Sequence, residues 1–433
     1  MVPVHRTDRP HPQARRHARP FRPRRAGAPR GPERRRHRPG VRLHRPAASP
    51  PRRTGVRGLH SGRPGRAGGR PHSPFDGRKK PVKTPETRAA DTADRSLIVR
   101  TAFGSMAAQT LRAAVRLRVV ELIGDTPRRA DAIAADAGAE PRPVTRLLRA
   151  LAALGVLREH TPGTFSVTPA GTLLDPSRPG SLASFVRVFT DPVSTRAWEH
   201  LDDSVRTGDV AFDAVFGTDF FGHLARHPEL SEAFNTAMGQ ATGATAAALP
   251  AAYDFGRFTS VTDVGGGDGT LLAGVLTAYP DLTGVVFDTA EGLAGAPETL
   301  ERHGLTGRCS PHAGDFFRSV PAGSDLYLIK SVLHDWPDEK AATILRHCRE
   351  ALPPGGRILI VEPVLPDTVD PEAPVTGGGI TYLSDLNMLV NVSGRERTRA
   401  DFEDVCRRAG LTVVSVTPLA GAAPFSLVEA AAD

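Results

Sequence analysis

Residues 261–270 read VTDVGGGDGT, a short apolar run leading into four glycines and one aspartate within five positions. An apolar strand that breaks into Gly265, Gly266, Gly267 and Gly269 predicts a turn where a nucleotide-like ligand approaches the main-chain N–H groups, ahead of a helix N-terminus. The dinucleotide fingerprint needs a glycine at the sixth position of such a loop. Counted from Gly265, that position is Thr270, so the fingerprint fails and a different cofactor is implied.

The residues around this motif set its context. The 433-residue chain has a formal net charge of +9, but the charge is unevenly distributed. Residues 1–85 hold 25 Lys and Arg against 3 Asp and Glu, and the remainder holds 31 against 44. The body is therefore acidic, which argues against a nucleic-acid partner. The first 85 residues also carry 16 prolines and almost no periodic apolar positions, the composition of a disordered segment. They read either as a basic tail for an anionic surface or, the reading favoured here, as translation from a start codon set too far upstream. Cys309, Cys348 and Cys406 form no CxxC pair, which fits a reducing cytoplasm and excludes a structural zinc site of that type. No apolar run reaches the roughly 18 to 20 residues of a membrane span.

Helical spacing over residues 96–123 predicts one or two amphipathic helices. A short helix over 130–137, a stop at Gly138, a longer helix starting near Pro143 and two brief strands around Val156 and Phe165 follow, the order of a winged helix-turn-helix. Arg142, Arg146 and Arg149 are candidate DNA contacts. The Leu- and Ala-rich second helix and its acidic surroundings favour dimer packing instead. Residues 181–250 read as a helical connector and acceptor-pocket region. From 251 to 433, five strand–helix units ending in two strands joined by a Gly/Ala/Pro loop predict an α/β fold, a mostly parallel sheet closed by an antiparallel hairpin. Ligands on such a sheet sit at the carboxyl ends of the strands, where strand order reverses.

Asp288 closes the second strand, 19 residues after Gly269, where an acid accepts both hydrogen bonds of a ribose diol. Asp315 follows the third strand in GDFF, placed to take an amine donor while Phe316 covers a flat ring. His334 lies past the fourth strand in HDWPDE, and Glu362 ends the fifth, beside it on the same edge. A carboxylate there fixes an imidazole tautomer and raises its basicity.

These segments in this order, VTDVGGGDGT, VVFDTAEGL, AGDFF, LIKSVLHDWPDE, PPGGRILIVEP and GRERT, resemble the S-adenosylmethionine-dependent O-methyltransferases of plant caffeate and flavonoid and actinobacterial aromatic-polyketide type. The resemblance spans roughly residues 95–431 and leaves 1–85 without a counterpart. It implies a Rossmann-like methyltransferase sheet over 251–433 preceded by a winged-helix dimerisation domain over 90–180. It also implies that Gly265 and Gly267 hold the methionine end of S-adenosylmethionine, Asp288 the ribose, Asp315 and Phe316 the adenine, with Lys330 on the cofactor side. His334 becomes the general base flanked by Glu362 and Glu396, while Met238, Asn391 and Asp335 line the acceptor pocket, and no metal is required. Asp268 departs from the family's usual Thr or Ala.

The expected reaction is transfer of a methyl group to a hydroxyl, a phenol, of a small aromatic or polyketide metabolite by a cytoplasmic homodimer. A His near 6.5 takes a proton from a phenol near 10 as the oxygen attacks. The alternatives are a winged-helix regulator that senses a ligand, or a same-fold enzyme that uses the cofactor for decarboxylation or hydroxylation.

Overall fold

The computed structural model describes residues 85–370 and 379–433. The basic stretch 1–84 and residues 371–378 lie outside the described residues.

The described residues open with α1 (Pro85–Ala102) and α2 (Gly104–Arg116), followed by a single turn at Val119–Ile123, so the expected one or two helices are three. The winged element follows as α3 (Ala130–Asp136), α4 (Pro141–Ala153), β1 (Leu157–Thr161) and β2 (Thr164–Val167). Helix α4 starts two residues before the expected Pro143. Proline is tolerated in a first turn, whose N–H groups have no intrahelical partner, so Pro141 and Pro143 both belong to it. Ile133, Leu148, Leu151 and Phe165 are completely buried between helices and hairpin. Gly163 adopts a left-handed conformation at the hairpin turn. Arg149, one of the three candidate DNA contacts, is paired with Glu159 on β1 at 3.1 Å.

Residues 181–250 are helical but broken. Helix α5 (Ala183–Phe189) is followed by short helices, among them α6 (Phe220–Ala225), before the long α7 (Pro228–Ala252). Left-handed glycines Gly208 and Gly217 end two of the pieces, and the Asp191 and Asp219 side chains cap the start of two others.

The α/β unit is built from β3 (Ser260–Val264), α8 (Thr270–Ala278), β4 (Thr283–Asp288), α9 (Ala296–Arg302), β5 (Cys309–Ala313), β6 (Leu326–Lys330), α10 (Asp338–Ala351), β7 (Arg357–Leu365), α11 (Gly379–Asn391), α12 (Arg399–Arg408), β9 (Leu411–Pro418) and β10 (Phe425–Ala432), with the two-residue β8 (Arg397–Thr398) ahead of α12. The main sheet runs β9-β10-β7-β6-β3-β4-β5, and β8 pairs with the end of β7. From β7 to β5 all neighbours are parallel; β10 is antiparallel to β7 and to β9. Helices cover both faces of the parallel part, so its strands are apolar on both sides: Leu326, Tyr327, Leu328 and Ile329 of β6 are all completely buried. Strand order reverses between β3 and β6, which puts the glycine loop and the HDWPDE turn on either side of one crevice. Glu362 does not end its strand. The hairpin pairs Ser426 with Glu362 and Phe425 with Pro363, and β7 continues to Leu365. No helix among the described residues is long and apolar enough to cross a membrane.

Candidate active site

The glycine loop differs from its expected use. Its N–H groups are bonded inward: those of Gly265 and Gly266 to the Phe287 carbonyl at 2.8 and 3.3 Å, Gly269 to Gly266 at 3.0 Å, and Gly267 to Asp288 Oδ2 at 2.9 Å. The glycines provide clearance instead. A Cβ on Gly265 would stand 2.5 Å from a Val332 methyl, whereas the same atom on Gly267 would meet nothing within 4 Å. Gly267 is where the backbone lies open to a ligand, and its φ of +55° strains any other residue.

Asp288 is clamped at the mouth of this loop, its Oδ1 accepting from Thr289 N at 2.6 Å. Burial pushes its pKa upward against the pull of the Gly267 and Thr289 N–H groups. Gly292 leaves the room that this carboxylate occupies. Asp315 is exposed and accepts from Phe317 N at 2.9 Å, with half-buried Phe316 packed edge-on to Trp336. These are two walls of one crevice. Asp268 turns back to accept from Thr270 N at 3.0 Å and fills the space left by the missing Cβ of Gly239 on α7, next to Met238.

Lys330 sits at the end of β6, donating to Ser331 Oγ at 3.1 Å with its ammonium 4.7 Å over the Phe425 ring. Burial lowers it to about 8, against the pull of Glu362 and Asp263. Asp263, on β3 behind the glycine loop, is fully buried with Oδ2 unbonded. Its own pKa is pushed up to about 7, first by burial and then by Asp288. The sequence reading missed this acid because it sits inside an apolar strand and not at its end.

His334 is the centre of the other side. Its Nδ1 stands 3.2 Å from Glu396 Oε1 and 3.5 Å from Glu362 Oε2, and its Nε2 lies 3.7 Å from Asp335 Oδ1. Both glutamates are fixed in place. Glu362 Oε1 accepts the N–H groups of Val332 and Leu333 at 3.0 and 2.8 Å, with His334 N at 3.4 Å. Glu396 takes the Ser384 hydroxyl at 2.8 Å, and its own N–H is held by Asp385. Burial alone would lower the imidazole's pKa, but Glu362, Asp335 and Glu396 outweigh it and push it up to about 10. Asp335 is itself pushed up to about 7 by burial.

Asn391 ends α11 with Nδ2 donating to Asn387 Oδ1 at 2.8 Å, and Trp198 Nε1 donates to the same oxygen at 3.1 Å. The Asn391 Oδ1 atom has no partner. A residue the sequence reading did not single out, Arg397, is completely buried and holds the His334 turn: it donates to the Leu333 carbonyl at 2.7 Å, the Trp336 carbonyl at 2.8 Å and Asp338 at 2.9 Å. Gly394 packs onto the His334 carbonyl with no room for a Cβ.

The residues present fit a nucleoside bearing an amino-acid arm. Gly267 leaves open space beside the backbone, Asp288 is fixed there by the N–H groups of Gly267 and Thr289, and His334 with its carboxylates follows the strand on the other side of the switch point. Such a crevice, at the switch point of a sheet with a terminal hairpin, is where an open α/β fold binds a nucleoside cofactor. Comparison with known proteins gives the family. Residues 99–177 match the O-methyltransferase dimerisation domain and residues 198–412 the O-methyltransferase domain. O-demethylpuromycin-O-methyltransferase of Streptomyces alboniger is 45% identical over 349 residues, covering 80% of this chain and 92% of the relative. The crystal structure of LaPhzM superposes with a TM-score of 0.73 at 36% identity, over 78% of this chain and 99% of that one. Human N-acetylserotonin methyltransferase, solved with S-adenosylmethionine, gives 0.70 at 28% identity over 78% and 97%. The chain belongs to the O-methyltransferase family and its cofactor is S-adenosylmethionine. The ligand-sensing regulator finds no support among these relatives.

Proposed function

We propose that this enzyme methylates a phenolic hydroxyl of a small aromatic or polyketide metabolite, with His334 as general base. The observation that carries the reading is the imidazole held by Nδ1 between Glu396 and Glu362, which leaves Nε2 to take the acceptor's proton. When bound, S-adenosylmethionine supplies an electrophilic methyl group on a sulfonium centre. Asp288 takes the ribose hydroxyls, Asp315 and Phe316 the adenine, and the Gly265–Gly267 turn the methionine arm. Lys330, between Asp263 and Glu362, sets the charge on the cofactor side. Met238, Asn391 and Asp335 line the acceptor side.

The carboxylates do more than orient the ring. Glu362, Asp335 and Glu396 raise the imidazole's basicity, which narrows its gap to the acidity of a phenol. Alignment of oxygen, methyl carbon and sulfur supplies much of the remaining rate.

The dimerisation-domain match and an exposed apolar row on α1 and α2, with Leu97, Ile98, Val99, Phe103 and Met106 each 55–69% exposed, support a two-fold homodimer formed mainly through residues 95–160. Three buried free cysteines are consistent with a cytoplasmic enzyme. A panel of simple phenols and aromatic polyketides incubated with methyl-labelled cofactor tests the function. Label should appear on an aryl oxygen; label on nitrogen or carbon only, or on no acceptor, overturns it.

A further inference from the structure

We propose that His334, Glu362 and Glu396 also form a binding site for zinc, and that a zinc ion there shuts the reaction off. One ligand atom from each residue lies within 4.8 Å of the others. The two separations from Nδ1, 3.2 Å to Glu396 Oε1 and 3.5 Å to Glu362 Oε2, match the roughly 3.3 to 3.5 Å that separates donors bound tetrahedrally at about 2.0 to 2.2 Å. Glu362 is 0% and Glu396 3% exposed, yet Oε2 of each has no hydrogen-bond partner. A buried carboxylate oxygen without a donor is costly, and a divalent cation bonded to Glu362 Oε2 relieves it.

The supporting atoms are of the kind that fix metal ligands. Backbone N–H groups pin Glu362 through its other oxygen, and the Ser384 hydroxyl together with the Asp385 bond to Glu396 N pins Glu396. One imidazole with two carboxylates suits zinc, and three protein ligands leave its fourth position open. Magnesium, which favours all-oxygen shells rich in water, fits poorly in so closed a place. His334 keeps 15% of its side chain exposed, and this is the entry route.

The consequence follows from the ring's two nitrogens. A zinc ion bonding Nδ1 releases the proton there, and the ring, neutral as a zinc ligand, holds its one proton on Nε2: kept there from the imidazolium, or taken up there from solvent by the neutral Nδ1–H ring. That nitrogen no longer has a lone pair for the acceptor's proton. The shut-off rests on His334 being the base; the site does not.

Full-length protein stripped of cofactor and metals, titrated with zinc sulfate by calorimetry, should bind one ion per chain. Crystals soaked in zinc should show an anomalous peak within bonding distance of His334 Nδ1 and both glutamates. Glu396→Gln, checked for folding by its retained affinity for S-adenosylhomocysteine, should bind at least about tenfold more weakly, since even outer partners of a metal carry that much. Zinc should stop methyl transfer and EDTA should restore it. An anomalous map without a peak at the triad, decisive even where a variant misfolds, overturns the site. A peak there with unchanged turnover overturns the shut-off. Absence of methyl transfer before zinc is added would count against the functional reading alone, and the map would still decide the site.

Discussion

Glu396 Oε1 lies 3.2 Å from His334 Nδ1 although 62 positions separate the two residues. One end of this contact sits on a single 3-10 turn, Leu333–Asp335, and the other in a loop. His334 rides on a short turn after β6 and Glu396 on the loop between α11 and α12, so the contact depends on whatever holds those two loops together.

Arg397 is what holds them. Replacing it with Met leaves the Leu333 and Trp336 carbonyls without this donor, while Asp338 keeps only Arg395, and each buried acceptor left unpaired costs about 1–3 kcal/mol. Arg397→Met should lower stability by that order in denaturant unfolding. In whatever remains folded, kcat should fall more than KM rises, because the His334 turn loosens while the cofactor crevice stays. Wild-type stability in this variant would remove Arg397 from the account.

The pH dependence has a defined sign. With His334 raised to about 10, the free pocket is protonated at neutral pH, so kcat/KM should climb with pH from about 7 toward 10. Glu396→Gln removes one raising carboxylate. Its rising limb should shift to lower pH while its maximum falls. A profile already flat above pH 6.5 in the wild type would contradict the tuning.

The same shift acts on stability. A folded-state pKa above the unfolded value stabilises fully below about 6.5, and that contribution is lost as pH rises through 10. Melting temperature should therefore decline between pH 7 and 10 more steeply in the wild type than in His334→Gln. Parallel curves would show that the imidazole is not raised.

The dimer is tested at Ile98, 69% exposed on α1. Ile98→Asp should give a monomer by sedimentation at micromolar concentration, folded and still binding S-adenosylhomocysteine but inactive, which assigns the two-fold contact a role in turnover. A fully active monomer would refute that role.

Much of this was legible in the residues themselves. The glycine loop, Asp288 and Asp315 occupy strand ends, which a parallel sheet turns into one ligand-facing edge, so local spacing was enough to group them. Grouping Glu396 with His334 took the family resemblance, since no periodicity relates two loops. Arg397 was hidden for a physical reason. In GRERT, Arg395 is 43% exposed and Arg397 0%, a difference created by the two-residue strand that pairs Arg397 with Val364. Three charged residues in a row carry no mark of which one turns inward. The inward-bonded glycine N–H groups were equally invisible, because clearance and hydrogen-bond donation call for the same residue.

The most direct test of the central claim is the single-turnover rate of methyl transfer by His334→Ala on an acceptor the wild type methylates, measured together with its affinity for S-adenosylmethionine. With His334 as the base, the rate falls by about 10² to 10⁴ while cofactor affinity stays nearly unchanged. An unaltered rate, or a loss of cofactor binding that accounts for the whole effect, would contradict it.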